Sequence, residues 1–414
     1  MAHEPKREPR VYWLTEEFFP PEIGGTGLMA ACLSQGIAGL GLPTVVITRQ
    51  TDPPHAVRDR IGPLTVRRIA PAGRMKGAGW KAFPVMLLYL ARLFLLLLGE
   101  GRRYDIVVTS GMKIIPLAAV PVCRLLGKKC IVRLESPFEL AEPISAEALG
   151  AMQAGAGGLL PGILRRLQRA ALRRADRVIA ISRDIEARLL ECDLPHERIV
   201  RIPNAIDLGR FHPVSEAEQH ALRRSLSLPA GRDLVLYAGR LSRAKGIAML
   251  IEAWPQILAQ HPDLVLVMVG SGQGSWDDCE AQVTRFVREH GLADRVIFTG
   301  QSEQVWQYMQ VADVFVSPSE YEGFGLTVVE AMASGLPTVV TSVGVAPELI
   351  EQGVNGFLFE PKNPRAAIEA VEACLAARDR WRAIGMAARE STQPFDLKRV
   401  FAAYVQLCRD LAPP

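Results

Sequence analysis

The sequence has few of the features that mark several protein classes. Its seven cysteines are odd in number, lie far apart along the 414 residues and form no C-x-x-C pair. That pattern argues against both a disulfide framework and a zinc site and indicates a reducing compartment, so we expect a cytoplasmic protein. Charged residues make up 22% and hydrophobic residues 49% of the chain, which is typical of a globular protein rather than a disordered one.

One hydrophobic run comes near the length of a membrane span without reaching it. Residues 85–98 form a stretch of 14 positions that is apolar apart from Tyr89 and Arg92, whereas a spanning helix needs about 20. Two interpretations stay open, a buried core helix and a helix lying in the plane of a membrane surface. Basic residues on both sides suit the second interpretation. They are Arg67, Arg68, Arg74, Lys76, Lys81, Arg102 and Arg103.

The net charge of +4 is small but unevenly distributed. Residues 1–200 carry 28 Lys and Arg against 19 Asp and Glu, a balance of +9, and residues 201–414 carry 20 against 25, a balance of −5. This asymmetry indicates a basic face in the first half. Charge alone would suit nucleic acid, but no basic stripe interleaved with aromatic residues is present. We therefore expect no nucleic acid and favour an anionic membrane surface as a peripheral partner.

The length predicts two domains, because 414 residues exceed what one core of ordinary size holds. Short β-branched runs alternate with amphipathic stretches, which is the pattern of βαβ units and parallel sheets. Helices are predicted from about Leu28 and over residues 397–411, segment 140–174 reads as helical or partly mobile, and a break rich in Pro, Asn and Gly lies near residues 204–214. The predicted strands are residues 10–14, 44–48, 106–109, 130–133, 177–181, 233–238, 264–269, 295–299, 314–316 and 338–341.

The segment with the strongest chemical signal is residues 317–337, SPSEYEGFGLTVVEAMASGLP, between two predicted strands. Gly323 and Gly325 allow a sharp turn and a close approach to a ligand. Thr327 followed by Glu330 fits a capping box, so we expect a helix to begin there. Its free N–H groups would then suit a phosphate or a sugar hydroxyl.

Two carboxylates, Glu322 and Glu330, bracket this turn. Each has a simpler explanation, because Glu330 can serve only the capping box and Glu322 can be a solvated loop acid. Residues 237–246, YAGRLSRAKG, weaken both explanations, since they leave a predicted strand and present Arg240 and Lys245. A planar guanidinium and a mobile ammonium together suit a pyrophosphate, although alone they could be solvated surface charges.

Together these segments resemble the glycosyl transferases group 1 family, a glycosyltransferase family 4-like group of retaining GT-B enzymes that use nucleotide-activated sugars. The resemblance covers nearly the whole chain and includes PPEIGG at 20–25, ADRVIAIS at 175–182, IPNAID at 202–207 with Phe211, VGSG at 269–272, and PE at 347–348 with NG at 355–356. It implies an α/β protein with GT-B architecture, that is, two Rossmann-like α/β/α domains facing each other across a cleft.

The resemblance implies a role for each of the four charged residues. Arg240 and Lys245 would clamp the diphosphate and stabilise charge on the departing nucleotide. Glu322 would contact the donor sugar near its reacting carbon, and Glu330 would accept hydrogen bonds from the ribose hydroxyls. The implied catalytic residues are therefore Glu322, Arg240 and Lys245. Further donor-binding residues implied by the resemblance are Gly24, Gly25, Gly270, Gly272, Phe298, Gly300, Phe324, Gly325 and Leu326.

The implied reaction is front-face sugar transfer with retained anomeric configuration, in which the leaving phosphate helps to deprotonate the acceptor. It needs no metal and no cofactor, because Arg and Lys supply the positive charge. The implied domains are residues 1–205, which bind the acceptor and carry helix 397–411 packed back on them, and residues 206–394, which bind the nucleotide-sugar donor. We expect a lipid-linked or growing polysaccharide or glycolipid acceptor, with a soluble sugar as the alternative.

One departure from the family lies in the first domain, where many relatives have a histidine near the sugar. The comparable stretches, 108–111 and 132–137, hold no histidine, and Arg133 and Glu135 lie in that region without an assigned role. Two rival functions also stay open. An NAD-dependent Rossmann enzyme would need a full G-x-G-x-x-G, which GSGQG at 270–274 does not supply. A non-catalytic scaffold in polysaccharide assembly would have no use for four intact charged residues.

Overall fold

Two β-sheets, each almost wholly parallel, form the framework of the computed structural model. The structure describes residues 7–16, 18, 25–50, 56–70, 82–111, 114–136, 159–273, 275 and 277–412. The chain divides into a first unit, Met1–Ala205 with Leu397–Pro414, and a second unit, Ile206–Asp396. Each sheet belongs to one unit.

The sheet of the first unit has the strand order β3-β4-β2-β1-β5-β6-β7-β8. Neighbouring strands are parallel except for β3, which pairs antiparallel with β4 at the edge. Runs such as VYWLT and IVVTS are buried along their whole length, as expected for central parallel strands covered on both faces. The strands are Val11–Thr15 (β1), Thr44–Arg49 (β2), Arg58–Ile61 (β3), Leu64–Ile69 (β4), Ile106–Ser110 (β5), Lys129–Arg133 (β6), Arg177–Ala180 (β7) and Ile199–Arg201 (β8).

Helices cover both faces of this sheet. They are Gly25–Gly39 (α1), Ala82–Gly99 (α2), Ile115–Leu125 (α3), Leu159–Arg174 (α4) and Arg183–Glu191 (α5). Crossover connections between parallel strands are right-handed, so the direction of a connection along the sheet decides which face its helix covers. The connection from β1 to β2 runs toward the β3 edge and places α1 on one face. The connections from β4 to β5, β5 to β6 and β6 to β7 place α2, α3 and α4 on the other. Helix α3 packs between α2 and α4 in this layer.

The second unit has a fully parallel sheet of order β11-β10-β9-β12-β13-β14. Its core includes Trp254, which is wholly buried in a cluster of mostly aliphatic side chains from the strands and helices. The strands are Leu234–Ala238 (β9), Val265–Val269 (β10), Val296–Gly300 (β11), Val314–Ser317 (β12), Thr338–Thr341 (β13) and Phe357–Phe359 (β14). The helices are Glu216–Ser225 (α6), Ile247–Gln260 (α7), Glu280–Glu289 (α8), Val305–Val311 (α9), Leu326–Ala333 (α10), Ala346–Leu349 (α11), Pro364–Ala376 (α12) and Trp381–Ser391 (α13).

The last helix, Leu397–Leu411 (α14), returns to the first unit and packs against α1. The ring of Tyr404 lies 5.8 Å from that of Trp13, centroid to centroid. A side chain at Gly36 would meet the ring of Phe401, so the absence of a Cβ permits this close helix packing. The amphipathic pattern of residues 397–411 thus has its apolar face buried in the first unit.

Ten predicted strands are present within one residue of their predicted ends. Strands β3, β4, β8 and β14 were not predicted, and helix α1 begins at Gly25 rather than near Leu28. Of segment 140–174, residues 159–174 form α4 and residues 140–158 lie outside the described part of the chain. Helix α2 is buried along one face only, as Tyr89, Leu93 and Leu97 are inaccessible while Leu88 and Leu95 are exposed. Among the described helices, none combines the length and apolarity that crossing a membrane requires.

Candidate functional site

The candidate site lies at the carboxyl edge of the second sheet. From β9 the chain proceeds outward to β10 and β11, and then returns to β12 on the other side of β9. The connections after β9 and β12 leave in opposite directions, and α/β proteins bind ligands in the crevice that such a reversal opens. The segment with Arg240 and Lys245 follows β9, and the segment with Glu322 follows β12.

Backbone contacts join these two segments. The carbonyl oxygen of Ala244 accepts a hydrogen bond from Glu320 N at 3.0 Å. Gly246 has a φ of +68°, and a Cβ built there would lie 1.9 Å from the carbonyl oxygen of Pro318, so glycine alone permits this approach. The carboxylate of Asp277 holds the first segment from another side by accepting Ala244 N at 2.9 Å. The loop after β9 is therefore fixed against the loop after β12.

Lys245 and Glu322 form an ion pair between these loops. Lys245 Nζ lies 2.5 Å from Glu322 Oε1, and the side chains are only 21% and 13% exposed. Ser319 Oγ donates a hydrogen bond to the same Oε1 at 2.8 Å. Thr341 Oγ1, at the end of β13, donates to the carbonyl oxygen of Ser319 at 2.6 Å. Three adjacent strand ends thus position one carboxylate and one ammonium.

Arg240 lies at the end of β9 with an exposed side chain and makes no ion pair with any described residue. Its carbonyl oxygen accepts a hydrogen bond from Tyr237 Oη at 2.6 Å. Burial raises the pKa of Tyr237 well above its ordinary value, with a further rise from Glu322 and a reduction from Arg240. The charges of Glu322 and Arg240 therefore both act on the Tyr237 phenol, whereas Glu322 makes its direct ion pair with Lys245.

Glu330 does not belong to a capping box, and that prediction is wrong. Helix α10 begins at Leu326 after Gly325, whose φ is +95°, and no side chain caps it. Thr327 already lies in the first turn, because left-handed Gly325 and the hydrogen bond from Val345 N to Phe324 O at 2.8 Å set where the helix starts. The local explanation for Glu330 is thereby removed.

The carboxylate of Glu330 makes no hydrogen bond or ion pair within the described part of the chain. Burial raises its pKa to about 7, while the nearby charge of Arg210 lowers it. No local pattern selects Arg210, because it lies 120 positions before Glu330 in the chain. Its guanidinium lies 4.9 Å from the centroid of the Trp306 ring. Arg210 and Trp306 both line a groove of about 790 Å³ in the second unit.

The start of α10 offers unpaired donors. The N–H groups of Phe324, Gly325 and Leu326 donate to no residue that the structure describes. First-turn N–H groups of a helix lack intrahelical acceptors and carry the positive end of its dipole. The geometry is therefore suited to an anionic or hydroxyl-bearing ligand, and contact with one stays a prediction.

Of the residues predicted to bind the donor, Gly270 and Gly272 lie on the loop after β10, whereas Phe298 and Gly300 lie in β11 itself. Gly270 N donates to Gly300 O at 2.8 Å, which ties the loop after β10 to the end of β11. Gly272 N donates to a carboxylate oxygen of Glu280 at 2.7 Å, so this N–H is already paired. Phe298 packs against the core of the second unit. Their contact with a nucleotide stays a prediction.

The first unit holds the remaining candidates. Gly24 lies outside the described residues, and Gly25 is the exposed first residue of α1. Arg133, at the end of β6, forms a buried ion pair with Glu135 and donates a hydrogen bond to Asn204 Oδ1. Burial raises the pKa of Glu135, while Arg133 lowers it. Among the residues described, no group of three or more His, Cys, Asp or Glu could hold a metal ion.

Comparison with known proteins agrees with this architecture. Residues 23–210 match the family model described as Glycosyltransferase Family 4, and residues 218–391 match the one described as Glycosyl transferases group 1. A lipopolysaccharide core biosynthesis mannosyltransferase of Rhizobium meliloti is 32% identical over 50% of this chain and 58% of its own length. A D-inositol 3-phosphate glycosyltransferase of Geodermatophilus obscurus is 30% identical over 58% of this chain and 54% of its own. The matched region spans a little over half the length of these relatives.

Solved structures match the chain over almost its whole length. A sucrose-phosphate synthase from Thermosynechococcus elongatus has a TM-score of 0.78 and 25% identity, covering 97% of this chain and 99% of that one. Anabaena HepE in complex with UDP has a TM-score of 0.75 and 21% identity, covering 97% and 100%. These likenesses show the GT-B fold of two Rossmann-like α/β domains. With the two family matches, which together extend over most of the sequence, they place the chain in the GT-B glycosyltransferases of the group 1 family.

Proposed function

We propose that this protein is a retaining glycosyltransferase that moves a sugar from a nucleotide-diphosphate sugar to a hydroxyl acceptor without a metal or another cofactor. The observation that carries the proposal is the Lys245–Glu322 pair, held between two strand ends at the chain reversal of the second sheet. Arg240 adds to the same region a cation that forms no ion pair with a described residue. The similar Rhizobium meliloti protein is a mannosyltransferase, and HepE was solved with UDP and with UDP-glucose.

The ion pair suggests how donor binding proceeds. When the donor binds, the ammonium of Lys245 leaves the carboxylate of Glu322 and pairs with the negatively charged diphosphate. The guanidinium of Arg240 binds the same diphosphate. Glu322 Oε1 is then free to accept a hydrogen bond from a sugar hydroxyl. The two cations stabilise the negative charge that grows on the leaving diphosphate as the bond to the anomeric carbon breaks.

Transfer follows on the face of the sugar from which the diphosphate leaves. The acceptor oxygen forms a bond to the anomeric carbon, the bond from that carbon to the diphosphate oxygen breaks, and the acceptor proton passes to the departing phosphate. Attack on the same face retains the anomeric configuration. Glu330 accepts hydrogen bonds from the ribose hydroxyls, which gives its partly buried carboxylate the partners it lacks among the described residues.

The acceptor we propose is a lipid-linked or growing polysaccharide or glycolipid intermediate of the cell envelope. The supporting relative is a mannosyltransferase of lipopolysaccharide core biosynthesis. A soluble acceptor is the second candidate, supported by likeness to a mannosylfructose-phosphate synthase and a sucrose-phosphate synthase. We place the reaction in the cytoplasm, at the inner face of the cytoplasmic membrane, and the seven cysteines form no disulfide bond, which suits a reducing compartment.

Product analysis tests this proposal. The protein is incubated with a panel of nucleotide-sugars and hydroxyl acceptors, and mass spectrometry detects the released nucleoside diphosphate while NMR reads the anomeric configuration of the product. We expect release from one nucleotide-sugar, retention, and no loss of rate with EDTA. Glu322→Gln should lower turnover and leave the folded fraction unchanged. Inversion or dependence on a metal would refute the mechanism, and release of no nucleoside diphosphate would favour a non-catalytic scaffold.

A further inference from the structure

The solvent-facing side of α2 is apolar rather than polar. Its exposed large residues recur at helical spacing, and its other face packs into the first unit through Tyr89, Leu93 and Leu97. A helix at a water-facing surface ordinarily has charged residues on its outer side. Here the outer side has a single charge, that of Arg92, and no acidic residue. The exposed leucines are Leu87, Leu88, Leu95 and Leu98.

The two helices beside α2 extend this surface. Helices α3 and α4 lie on the same face of the sheet and pack in the order α2, α3, α4. They expose Leu125, Ile163 and Leu167. These three and the four leucines of α2 are between 38% and 69% exposed. Seven large apolar side chains on one helical layer exceed the scattered single exposures that are normal on a protein surface.

The same layer carries only positive charge. The three helices contain seven arginines and no aspartate or glutamate. Six of these arginines make no ion pair with any residue that the structure describes, and Arg173 alone pairs with a described acid, Asp193. The six are Arg92, Arg124, Arg165, Arg166, Arg169 and Arg174. Apolar side chains among unneutralised arginines match the boundary between lipid acyl chains and anionic headgroups.

This charge pattern also argues against a second copy of the chain as the occupant. In a twofold symmetric dimer each residue of the patch faces the patch of the partner, so arginines of one copy would oppose arginines of the other. No acidic residue on these helices would offset that repulsion. A surface of anionic lipid supplies the opposite charge over the whole layer.

We propose that the outer face of α2, α3 and α4, which we name the leucine–arginine face, binds the surface of an anionic lipid bilayer. The leucines insert among the acyl chains and the arginines lie at the headgroups, with the helices in the membrane plane. The inference deepens the peripheral membrane contact of the proposed function and does not depend on the transfer reaction, because it concerns helices of the first unit alone.

Vesicle flotation of the full chain tests the face. Vesicles of phosphatidylcholine alone are compared with vesicles that also contain phosphatidylglycerol, and binding is expected to the mixed vesicles and to weaken as salt is raised. Leu88→Gln/Leu95→Gln should lower the partition coefficient about tenfold or more. Arg165→Gln/Arg166→Gln/Arg169→Gln should lower it by on the order of tenfold, and only for the anionic vesicles. Leu40→Gln/Met386→Gln, which changes exposed apolar residues elsewhere, should bind as the wild type does.

Three outcomes would overturn the proposal: no flotation of the wild type with anionic vesicles, equal binding by the α2 variant and the control variant, or a dimer that the α2 variant converts to a monomer. Circular dichroism of each variant keeps loss of folding apart from loss of binding. The melting-temperature shift produced by a nucleoside diphosphate should be the same in the α2 variant and the wild type. Failure of membrane binding is thereby distinguished from failure of the proposed donor site.

Discussion

The environment that folding creates around Glu330 disfavours its charged form, and the proposed function nevertheless assigns this carboxylate a contact with the ribose. Folding leaves its carboxylate partly buried and without a hydrogen-bond partner in the described part of the protein, and the loss of solvent raises the pKa from an ordinary 4.5 to about 7. A raised acid pKa means that the folded protein holds a proton where the unfolded chain has lost it. Polar groups that lack a partner in the protein and have a shifted pKa are common where a ligand supplies the partner.

The first prediction is that Glu330→Gln stabilises the protein above neutral pH. Between pH 4.5 and about 7 the wild-type free energy of unfolding falls as pH rises, because the unfolded chain releases the proton first. Glutamine does not titrate, so we expect the variant to be more stable by about 1–2 kcal/mol at pH 8 and to lose this advantage below pH 4.5. Urea unfolding at several pH values measures it, with exposed Glu289→Gln as control, and a pH-independent difference would contradict the assignment.

At the scale of elements, the close approach of the loop after β9 to the loop after β12 requires a glycine at position 246. Gly246 and Gly353 have similar φ values, +68° and +72°, so alanine is strained at both. They differ in surroundings, since a Cβ at Gly246 meets the Pro318 carbonyl oxygen at 1.9 Å and one at Gly353 meets nothing within 4 Å.

The second prediction therefore compares two alanine substitutions. Gly353→Ala should cost about 1 kcal/mol for the left-handed backbone. Gly246→Ala should cost about 2 kcal/mol more, because the loop must also move away from Pro318. That movement separates Lys245 from Glu322, so we expect a parallel loss of nucleotide affinity in Gly246→Ala only. Equal unfolding free energies in the two variants would show that the contact with Pro318 is unimportant.

Local pattern predicted the elements that are short, apolar and buried on both faces. Strands such as β5 and β10 were predicted correctly because short runs rich in β-branched residues are typical of parallel strands buried on both faces. The hairpin of β3 and β4 was missed, since RDRI is polar and pairs at an edge where one side meets water. The capping box was wrong at Thr327 because tertiary contacts of Phe324 and Val345 set the helix start, which no local pattern encodes.

The segments that form the site were predictable from the sequence, but the contacts between them were not. The order of segments placed Lys245 and Glu322 at strand ends, and the resemblance to a family selected them among many exposed charges. Their contact and its support by Ser319 depend on which strands are neighbours, which the sequence does not state. Arg210 beside Glu330 could not be foreseen for the same reason.

At the scale of the whole molecule, the last helix connects chain order with domain order. Residues 397–411 follow the second unit in sequence yet belong to the first, where Val400, Tyr404, Val405, Cys408 and Leu411 are buried. Periodicity predicted a helix there. Its place of packing depends on partners such as Trp13 and Gly36 at the other end of the chain.

The third prediction follows from that packing. Tyr404 is wholly inaccessible against Trp13, and Tyr404→Ala should cost about 3–4 kcal/mol by leaving a cavity. Fluorescence of Trp13, with the other tryptophans replaced, reports unfolding of the first unit during urea titration. Gln406→Ala, an exposed change on the same helix, is the control. The same midpoint in Tyr404→Ala and wild type would mean that α14 does not stabilise the first unit.

The most direct test of the central claim, that Arg240 and Lys245 bind a nucleotide diphosphate, is thermal-shift titration with nucleoside diphosphates of wild type, Arg240→Ala/Lys245→Ala and the control Arg243→Ala. Each lost charged hydrogen bond costs about 1.5–3 kcal/mol. The double variant should therefore need at least about a hundredfold more ligand for the same shift, while Arg243→Ala, an exposed cation of the same segment, should behave as wild type. Equal shifts in the double variant and the wild type would contradict the account.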